Sequence, residues 1–266
     1  MNQIQKIDLL FGPVEIKQAQ PSIFENTTCV IFDILRFTTS ATMALANGAK
    51  KLFPVKTIEE ALELHKLYPD SLLAGERNGA KITAELSGDK NFHLGNSPRE
   101  YRKETIEGKT IISTTTNGTM ALSHCKTATQ VMIASFLNMR ASVNWLLHYP
   151  TPRVCLVCSG THEENSYEDM LGAGAFADLF LSSLPSSADH LAYSDSVLAC
   201  RLLYQQAAEK NLAQHFALSR NGKAIHSIPA LAPDVDFSAQ TDLYDFAILL
   251  SEDGALRASQ ASAFSV

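Results

Sequence analysis

The feature that most constrains the fold of this chain is a repeated alternation of short apolar runs with Ala- and Leu-rich stretches. Each run is rich in Val, Ile or Phe, ends in a polar loop, and is followed by apolar residues at helical spacing. Such alternation is typical of βα units, whose strands pair into a largely parallel sheet with helices on its faces. We therefore expect a three-layer α/β/α sandwich with a mostly parallel or mixed central sheet.

Seven predicted strands and the helices between them account for most of the chain. The strands are predicted at 28–32, 52–55, 71–74, 110–113, 130–134, 153–158 and 244–250. The clearest helices are predicted at 40–47, 57–68, 117–124, 138–148 and 167–183. The stretches 80–92 and 182–189 read as excursions from the sheet, so residues 1–266 are predicted to form a single compact unit, in which two α/β lobes could be intertwined.

Charge and hydropathy argue against several classes of protein. The chain has 22 Lys and Arg against 28 Asp and Glu, a net charge of −6, whereas a general nucleic-acid binder needs a basic face. No apolar run approaches the roughly 20 residues that a membrane-spanning helix needs. The first residues do not resemble a secretory signal. We expect a cytoplasmic protein with neither a nucleic acid nor a membrane as its partner, and a homo-oligomer stays open.

The five cysteines, at positions 29, 125, 155, 158 and 200, do not resemble a disulfide framework. Cys155 and Cys158 fall within a predicted strand, and strand geometry sends residues three apart to opposite faces. A shared zinc site for this pair is therefore disfavoured. We expect the thiols to be reduced and to pack in the core.

Polar loops follow four of the predicted strands, at 33–39, 75–79, 113–119 and 159–161. The carboxyl ends of parallel strands are where such sheets bind ligands. Small and hydroxyl-bearing residues before a helix expose backbone N–H groups, which suits a phosphate or another oxyanion. Helix capping alone is the alternative for any single loop.

Carboxylates occur at the same strand ends: Asp33, Glu76 and the pair Glu168 and Asp169. Carboxylates there would suit Mg²⁺, which binds a few of them together with water and phosphate oxygens. The alternatives are an ion pair of Asp33 with Arg36, and, for residues 168 and 169, a favourable charge in the first turn of a helix.

Other phosphate and hydrolase chemistries lack their motifs. The sequence has no P-loop, no G-x-G-x-x-G after a strand, and no paired histidines at zinc spacing. No arginine stands six positions after a cysteine, as a thiolate phosphatase would need. His93 and His162 lie in candidate loops and could transfer protons, although both could equally be solvated loop histidines.

Several of these stretches resemble motifs of the 2-phosphosulfolactate phosphatase (ComB) family. The similarity runs in order through 32–39, 74–77, 94–101, 114–119, 135–138 and 158–161, with Glu168 and Asp169 shortly after, and it returns at 234–242. Two departures from the family pattern are a longer segment at 80–93 and Ser238 in place of a cysteine.

The resemblance implies a Mg²⁺-dependent phosphatase that hydrolyses 2-phospho-3-sulfolactate, a small anionic phosphate ester, to 3-sulfolactate and phosphate. In methanogens this reaction is a step towards coenzyme M. Phosphatase action on another 2-hydroxy-acid phosphate, such as phosphoglycolate or phospholactate, is an alternative. A non-catalytic module that binds a phosphorylated metabolite is a second one.

The expected site combines these loops. Mg²⁺ would be held by some of Asp33, Glu76, Glu168 and Asp169, and Arg36 and Arg77 would clamp the anionic groups. Asp33, Arg36, Glu76 and Arg77 are the predicted catalytic residues, with Asp33 as metal ligand, nucleophile or base. The predicted phosphate and substrate contacts are Thr38, Asn96, Ser97, Thr114, Thr115, Thr116, Asn117, Gly118, Ser159, Gly160 and Thr161.

Overall fold

The computed structural model describes residues 4–184 and 191–259. Within them, eleven strands form one sheet. The strands are β1 (Lys6–Leu10), β2 (Thr27–Phe32), β3 (Lys51–Pro54), β4 (Leu72–Arg77), β5 (Ala80–Lys81), β6 (Thr110–Thr114), β7 (Gln130–Ile133), β8 (Arg153–Cys158), β9 (Ala192–Tyr193), β10 (Ala247–Leu250) and β11 (Leu256–Ser259).

Twelve α-helices connect these strands in the described part of the chain. They are α1 (Pro13–Gln18), α2 (Phe37–Ala46), α3 (Ile58–Leu67), α4 (Ala84–Ser87), α5 (Lys103–Ile106), α6 (Gly118–His124), α7 (Met139–His148), α8 (Tyr167–Ser182), α9 (Asp195–Ala208), α10 (Leu212–Leu218), α11 (Arg220–His226) and α12 (Pro233–Ser238). Of these described helices, none is both long and apolar enough to cross a bilayer.

The sheet consists of two parallel blocks joined by an antiparallel hairpin. Its strand order is β5-β4-β6-β3-β11-β10-β7-β2-β8-β1-β9. Strands β4, β6 and β3 run parallel in one block, and β7, β2, β8, β1 and β9 run parallel in the other. The hairpin β10–β11 pairs antiparallel with the block on each side. The predicted mostly parallel α/β sheet is confirmed.

Both faces of the central strands are buried, as a three-layer arrangement requires. In β2, Val30 and Phe32 belong to one apolar cluster with α7, α8 and α9, while Cys29 and Ile31 belong to a second cluster with α2 and α6. Cys155 and Cys158 divide between the two clusters in the same way, which confirms that they face opposite sides of β8. The five cysteines are buried and free.

Several predicted boundaries were wrong. Helix α2 begins at Phe37 rather than residue 40, because the Asp33 carbonyl and carboxylate accept from the first backbone N–H groups of the helix. Strand β4 continues to Arg77, where its last residues pair with β5. The 80–92 excursion contains β5 and α4 and buries Ile82 and Phe92. Residues 185–189 of the second excursion lie outside the described residues.

Loops from both parallel blocks meet in the structure. Five strands lie between β2 and β4 in the order, and the two blocks run in opposite directions. In a flat sheet β2 and β4 would lie about 29 Å apart, with their carboxyl ends at opposite edges. Nevertheless, the guanidinium of Arg36, just after β2, donates to the carbonyl of Gly79, just after β4, at 3.0 Å. A flat sheet could not make this contact, so the twist that sheets normally have and the reach of the loops together account for the shared site.

Candidate active site

Asp33 follows β2 directly and is only 6% exposed. Its Oδ1 accepts from the Phe37 backbone N–H at 3.2 Å. Its Oδ2 faces Gly118, where an added Cβ would lie 2.6 Å from that oxygen, so only glycine fits there. Burial raises the pKa of Asp33 to about 7, against the lowering effect of the Phe37 hydrogen bond and with a further rise from the charges of Glu76 and Glu168.

Glu76 links β4 to the turn after β6. Its Oε1 accepts from the backbone N–H and the hydroxyl of Thr116, at 2.9 and 3.0 Å. Its Oε2 accepts from the backbone N–H of Gly79 at 2.8 Å. The structure thus brings Asp33, Glu76 and the 114–118 turn to one place, although they come from opposite blocks of the sheet.

Glu168 and Asp169 occupy the first turn of α8 and are both buried. Asp169 accepts from the Ile34 backbone N–H at 2.9 Å and from the Gly160 backbone N–H at 3.0 Å, which ties together the loops after β2 and β8. Oε1 of Glu168 accepts from the Asn221 amide at 2.5 Å, whereas its Oε2 is buried without a hydrogen-bond partner among the described residues. Burial raises the pKa of both carboxyls.

The donor set suits Mg²⁺ only in part. Residues 4–184 and 191–259 contain no group of three or more His, Cys, Asp or Glu side chains placed to hold a metal ion, so the predicted set of four carboxylates is not gathered into one cluster. Both oxygens of Glu76 and of Asp169 already accept backbone hydrogen bonds, which would compete with metal binding. The unpartnered Oε2 of Glu168 and the Asp33 carboxylate are hard oxygen donors, and one or two carboxylates are what Mg²⁺ usually takes from a protein.

The two predicted clamp arginines do not line the same cavity. Arg36 is 4% exposed and lines a cavity next to Glu76 and Asn117. Its guanidinium donates to Asp234 at 2.9 Å, so its ion-pair partner is not Asp33. Arg77 donates to the carbonyl and hydroxyl of Thr114 and lies outside the cavity lining. Neighbouring residues of a strand point to opposite faces, so Arg77 cannot share the side of β4 that Glu76 occupies.

Asp234, on α12, is a buried acceptor for three side chains. Besides Arg36 it accepts from the Ser97 hydroxyl at 2.7 Å and from Nε of Arg99 at 2.8 Å. Ser97, predicted as a substrate contact, is therefore bonded to Asp234 instead of facing the cavity. Asp234 therefore links the C-terminal helices to two loops, one that follows β2 and one that precedes α5.

Arg36 and Glu76 line a cavity of about 340 Å³, whereas the buried carboxylates of Asp33, Glu168, Asp169 and Asp234 lie outside its lining. One side is polar and includes the predicted residues Arg36, Glu76, Asn96, Thr116, Asn117 and Thr161. Asn96 contributes a buried Oδ1 without a hydrogen-bond partner in the described part of the chain. The other side comes from the segment around α11 and is formed by Arg220, Asn221, Ala224, Ile225, Ile228 and Leu231.

The remaining predicted residues do not line this cavity. The Thr38 hydroxyl donates to the Asp33 carbonyl at 3.0 Å, and the Thr114 hydroxyl donates to the Lys56 carbonyl at 3.1 Å. Thr115 is buried within the turn after β6, and Ser159 lines a second cavity. Gly118 and Gly160 supply the backbone beside Asp33 and Asp169.

The two loop histidines have different surroundings. His93 accepts from the Leu73 backbone N–H through Nδ1 at 2.9 Å, a structural contact that leaves it away from the cavity lining. His162 is exposed and lines the cavity. Of the two, only His162 is placed where it could exchange a proton with a bound ester.

Sequence reasoning missed Asn221 and Arg220 and did not give Asp234 a role. Asn221 donates to Glu168 and to the Thr161 hydroxyl, at 2.5 and 2.7 Å. The Asn221-Gly222 dipeptide reads as a turn in sequence, so no local pattern places it on a helix over the cavity.

Comparison with known proteins gives the family. The family model described as 2-phosphosulpholactate phosphatase matches residues 14–253. A probable 2-phosphosulfolactate phosphatase of Caldicellulosiruptor saccharolyticus is 38% identical over 194 residues, 71% of this chain and 76% of that protein. The protein of the same name from Thermotoga maritima is 46% identical over 162 residues, 61% of this chain and 66% of that protein. The one from Carboxydothermus hydrogenoformans is 35% identical over 241 residues, 90% of this chain and 91% of that protein. This chain therefore belongs to the 2-phosphosulfolactate phosphatase family of phosphoric monoester hydrolases.

Proposed function

We propose that this protein is a Mg²⁺-dependent phosphatase that hydrolyses 2-phospho-3-sulfolactate to 3-sulfolactate and phosphate. The observation that carries the proposal is Asp33, a buried carboxylate held against Gly118, whose neighbour Asn117 lines a cavity together with guanidinium and amide groups. The names of the relatives supply the substrate. Hydrolysis of such an ester needs a carboxylate near phosphorus and cations that offset the developing charge.

The residues that line the cavity and the buried carboxylates near it each have a task in this reaction. Mg²⁺, held by Asp33 and Glu168, would neutralise charge on the phosphoryl oxygens. Arg36 and Arg220 would bind the phosphate and carboxylate of the ester through their N–H groups. The Asn96 and Asn117 amides would orient the ester. Asp33 would act either as nucleophile or as the base that orients water, besides binding the metal.

The test is phosphate release by the wild type and by Asp33→Asn, with Mg²⁺ and with a chelator. We expect the wild type to turn over only with Mg²⁺ and Asp33→Asn to lose hydrolysis while its circular dichroism spectrum is unchanged. Asp245→Asn, at an exposed position, is the matched control. Wild-type turnover in Asp33→Asn would refute the assignment, and no phosphate release from any ester would favour a binding module.

The apolar side of the cavity favours a second candidate substrate. Ile228 is 41% exposed and lines the cavity together with Ile225 and Leu231. A sulfonate placed against these three apolar side chains would lose part of its hydration. An ester of a less polar 2-hydroxy acid, such as 2-phospholactate, meets no such cost.

We expect Ile228→Lys to shift the ratio of kcat/KM values towards the sulfonate ester. The measurement compares 2-phospholactate with 2-phospho-3-sulfolactate in the wild type, in Ile228→Lys and in Leu218→Lys. Leu218 is exposed and lies outside the cavity, so its variant should keep the wild-type ratio. A wild type that prefers the sulfonate ester would eliminate this second candidate.

A further inference from the structure

A second cavity, of about 400 Å³, adjoins the cavity of the proposed site, which we call the catalytic cavity. It lies between α1, α6 and the loop after β8, and we call it the α1–α6 cavity. Thr116, Asn117 and His162 line both cavities and form a common wall between them. The proposed hydrolysis makes no use of the other residues that line this second space.

The walls of the α1–α6 cavity are mostly apolar. Pro13 and Ile16 of α1 face Met120 and Ala121 of α6 across it. A cleft of this size and character matches those that bind small organic molecules, which are mostly apolar with a few placed polar groups. The apolar walls would contact the carbon skeleton of such a ligand.

Ser159 provides a second, independent observation. The residue is among those that line the α1–α6 cavity, it is 2% exposed, and its Oγ has no hydrogen-bond partner among the residues that the structure describes. A buried hydroxyl normally has a partner, because leaving it without one is unfavourable. A ligand oxygen that accepts from Ser159 would supply that partner.

A cation lies at the same cavity. Lys17 lines it and pairs with Glu163 at 2.6 Å, and both side chains are largely exposed. Exposed ion pairs of this kind contribute little to stability. A ligand carboxylate can therefore replace Glu163 as the partner of Lys17.

We propose that the α1–α6 cavity is a binding site for a short oxo- or hydroxy-carboxylic acid. Its carboxylate pairs with Lys17, its carbon chain contacts Ile16 and Met120, and its oxo or hydroxyl oxygen accepts from Ser159. Through Asn117 and His162, which are joined by a 3.2 Å hydrogen bond, the occupant also contacts the wall of the catalytic cavity.

The test is calorimetric titration of the full chain with 4-oxopentanoate. We expect a Kd of about 1 mM or tighter, which a ligand of about eight heavy atoms can reach. The amide of the same acid should bind at least about 10-fold more weakly because it has no charge for Lys17. Pentanoate, which lacks the oxo group that accepts from Ser159, should also bind more weakly.

Three variants locate the site. Met120→Trp should abolish binding by filling the cavity, and Met120 is exposed enough that the fold should tolerate the change. Val14→Trp, on the exposed side of α1 outside the cavity, and Ile228→Trp, in the catalytic cavity, should bind as the wild type does. No binding by the wild type, equal affinity for acid and amide, or retained binding in Met120→Trp would each overturn the proposal, as would loss in Ile228→Trp.

Discussion

Arg36 and Arg99 converge on one buried carboxylate, Asp234, which also accepts from Ser97. Two guanidinium groups around a single carboxylate give this cluster a net positive charge, and Arg36 of the cluster lines the catalytic cavity. Such a charge suits the binding of an anionic ester. A buried ion pair is not in itself evidence of stability, but removal of one partner leaves the other charge buried and unpaired.

We predict that Asp234→Asn lowers the free energy of unfolding by about 3–5 kcal/mol and raises KM for the phosphate ester. The physical reason is that Arg36 loses its countercharge and its fixed orientation. Urea unfolding and steady-state kinetics measure the two effects. Asp236→Asn, an exposed change in the same helix, should leave both quantities near their wild-type values, and a variant at 234 that behaves like it would contradict the prediction.

Helix α11 covers the catalytic cavity and makes contact with the loop after β8. Asn221, in its first turn, reaches the Thr161 hydroxyl and the Glu168 carboxylate. The neighbouring Arg220 pairs with Glu164 of the same loop. This short helix therefore orients Glu168, one of the two carboxylates that we expect to bind Mg²⁺.

Asn221→Ala is expected to reduce Mg²⁺ affinity or activity about 10- to 100-fold, the usual effect of removing a group that orients a metal ligand. The measurement is the Mg²⁺ dependence of kcat, and excess Mg²⁺ should restore part of the rate. Asn144→Ala, on the exposed side of α7, is the control. An unchanged Mg²⁺ dependence would show that Asn221 does not position Glu168.

The predictability of these helices and strands varied with their length and pattern. Helix α3 was predicted well because Thr57 caps it at the expected position and its apolar residues recur at helical spacing. Helices α10 to α12 are short and carry little periodicity, so their sequences do not predict them. Strand β11 was also missed, because it is identified mainly by its pairing with β10.

The buried carboxylates make the stability of the metal-free protein depend on pH. The pKa of Asp33 rises from 3.8 to about 7 on folding, so the folded state holds a proton that the unfolded state releases over that range. The contribution of this group to the free energy of unfolding is therefore fully present below about pH 4 and is lost as the pH rises to about 7. The raised pKa values of Glu168 and Asp169 act in the same direction.

We predict that Asp33→Asn gains stability relative to the wild type as the pH rises, by up to roughly 4 kcal/mol at 1.36 kcal/mol per pKa unit. Urea unfolding between pH 4 and pH 8 in the presence of a chelator measures this difference. Saturating Mg²⁺ should recover stability for the wild type at high pH by binding only the folded state. Parallel curves for the two proteins would contradict the prediction.

The sequence by itself determined the alternation of strands and helices, the ends of several helices, and the residue types at the strand ends. These depend on periodicity and on turn and cap residues, which act over a few neighbours along the chain. Only the tertiary structure decided which of those residues share a cavity. The arrangement of the two sheet blocks places Glu76 close enough for its charge to act on Asp33. Strand alternation turns Arg77 away, and the partner of Arg36 lies 198 positions further along the chain. Contacts at that separation depend on packing of the whole fold, which no local pattern encodes.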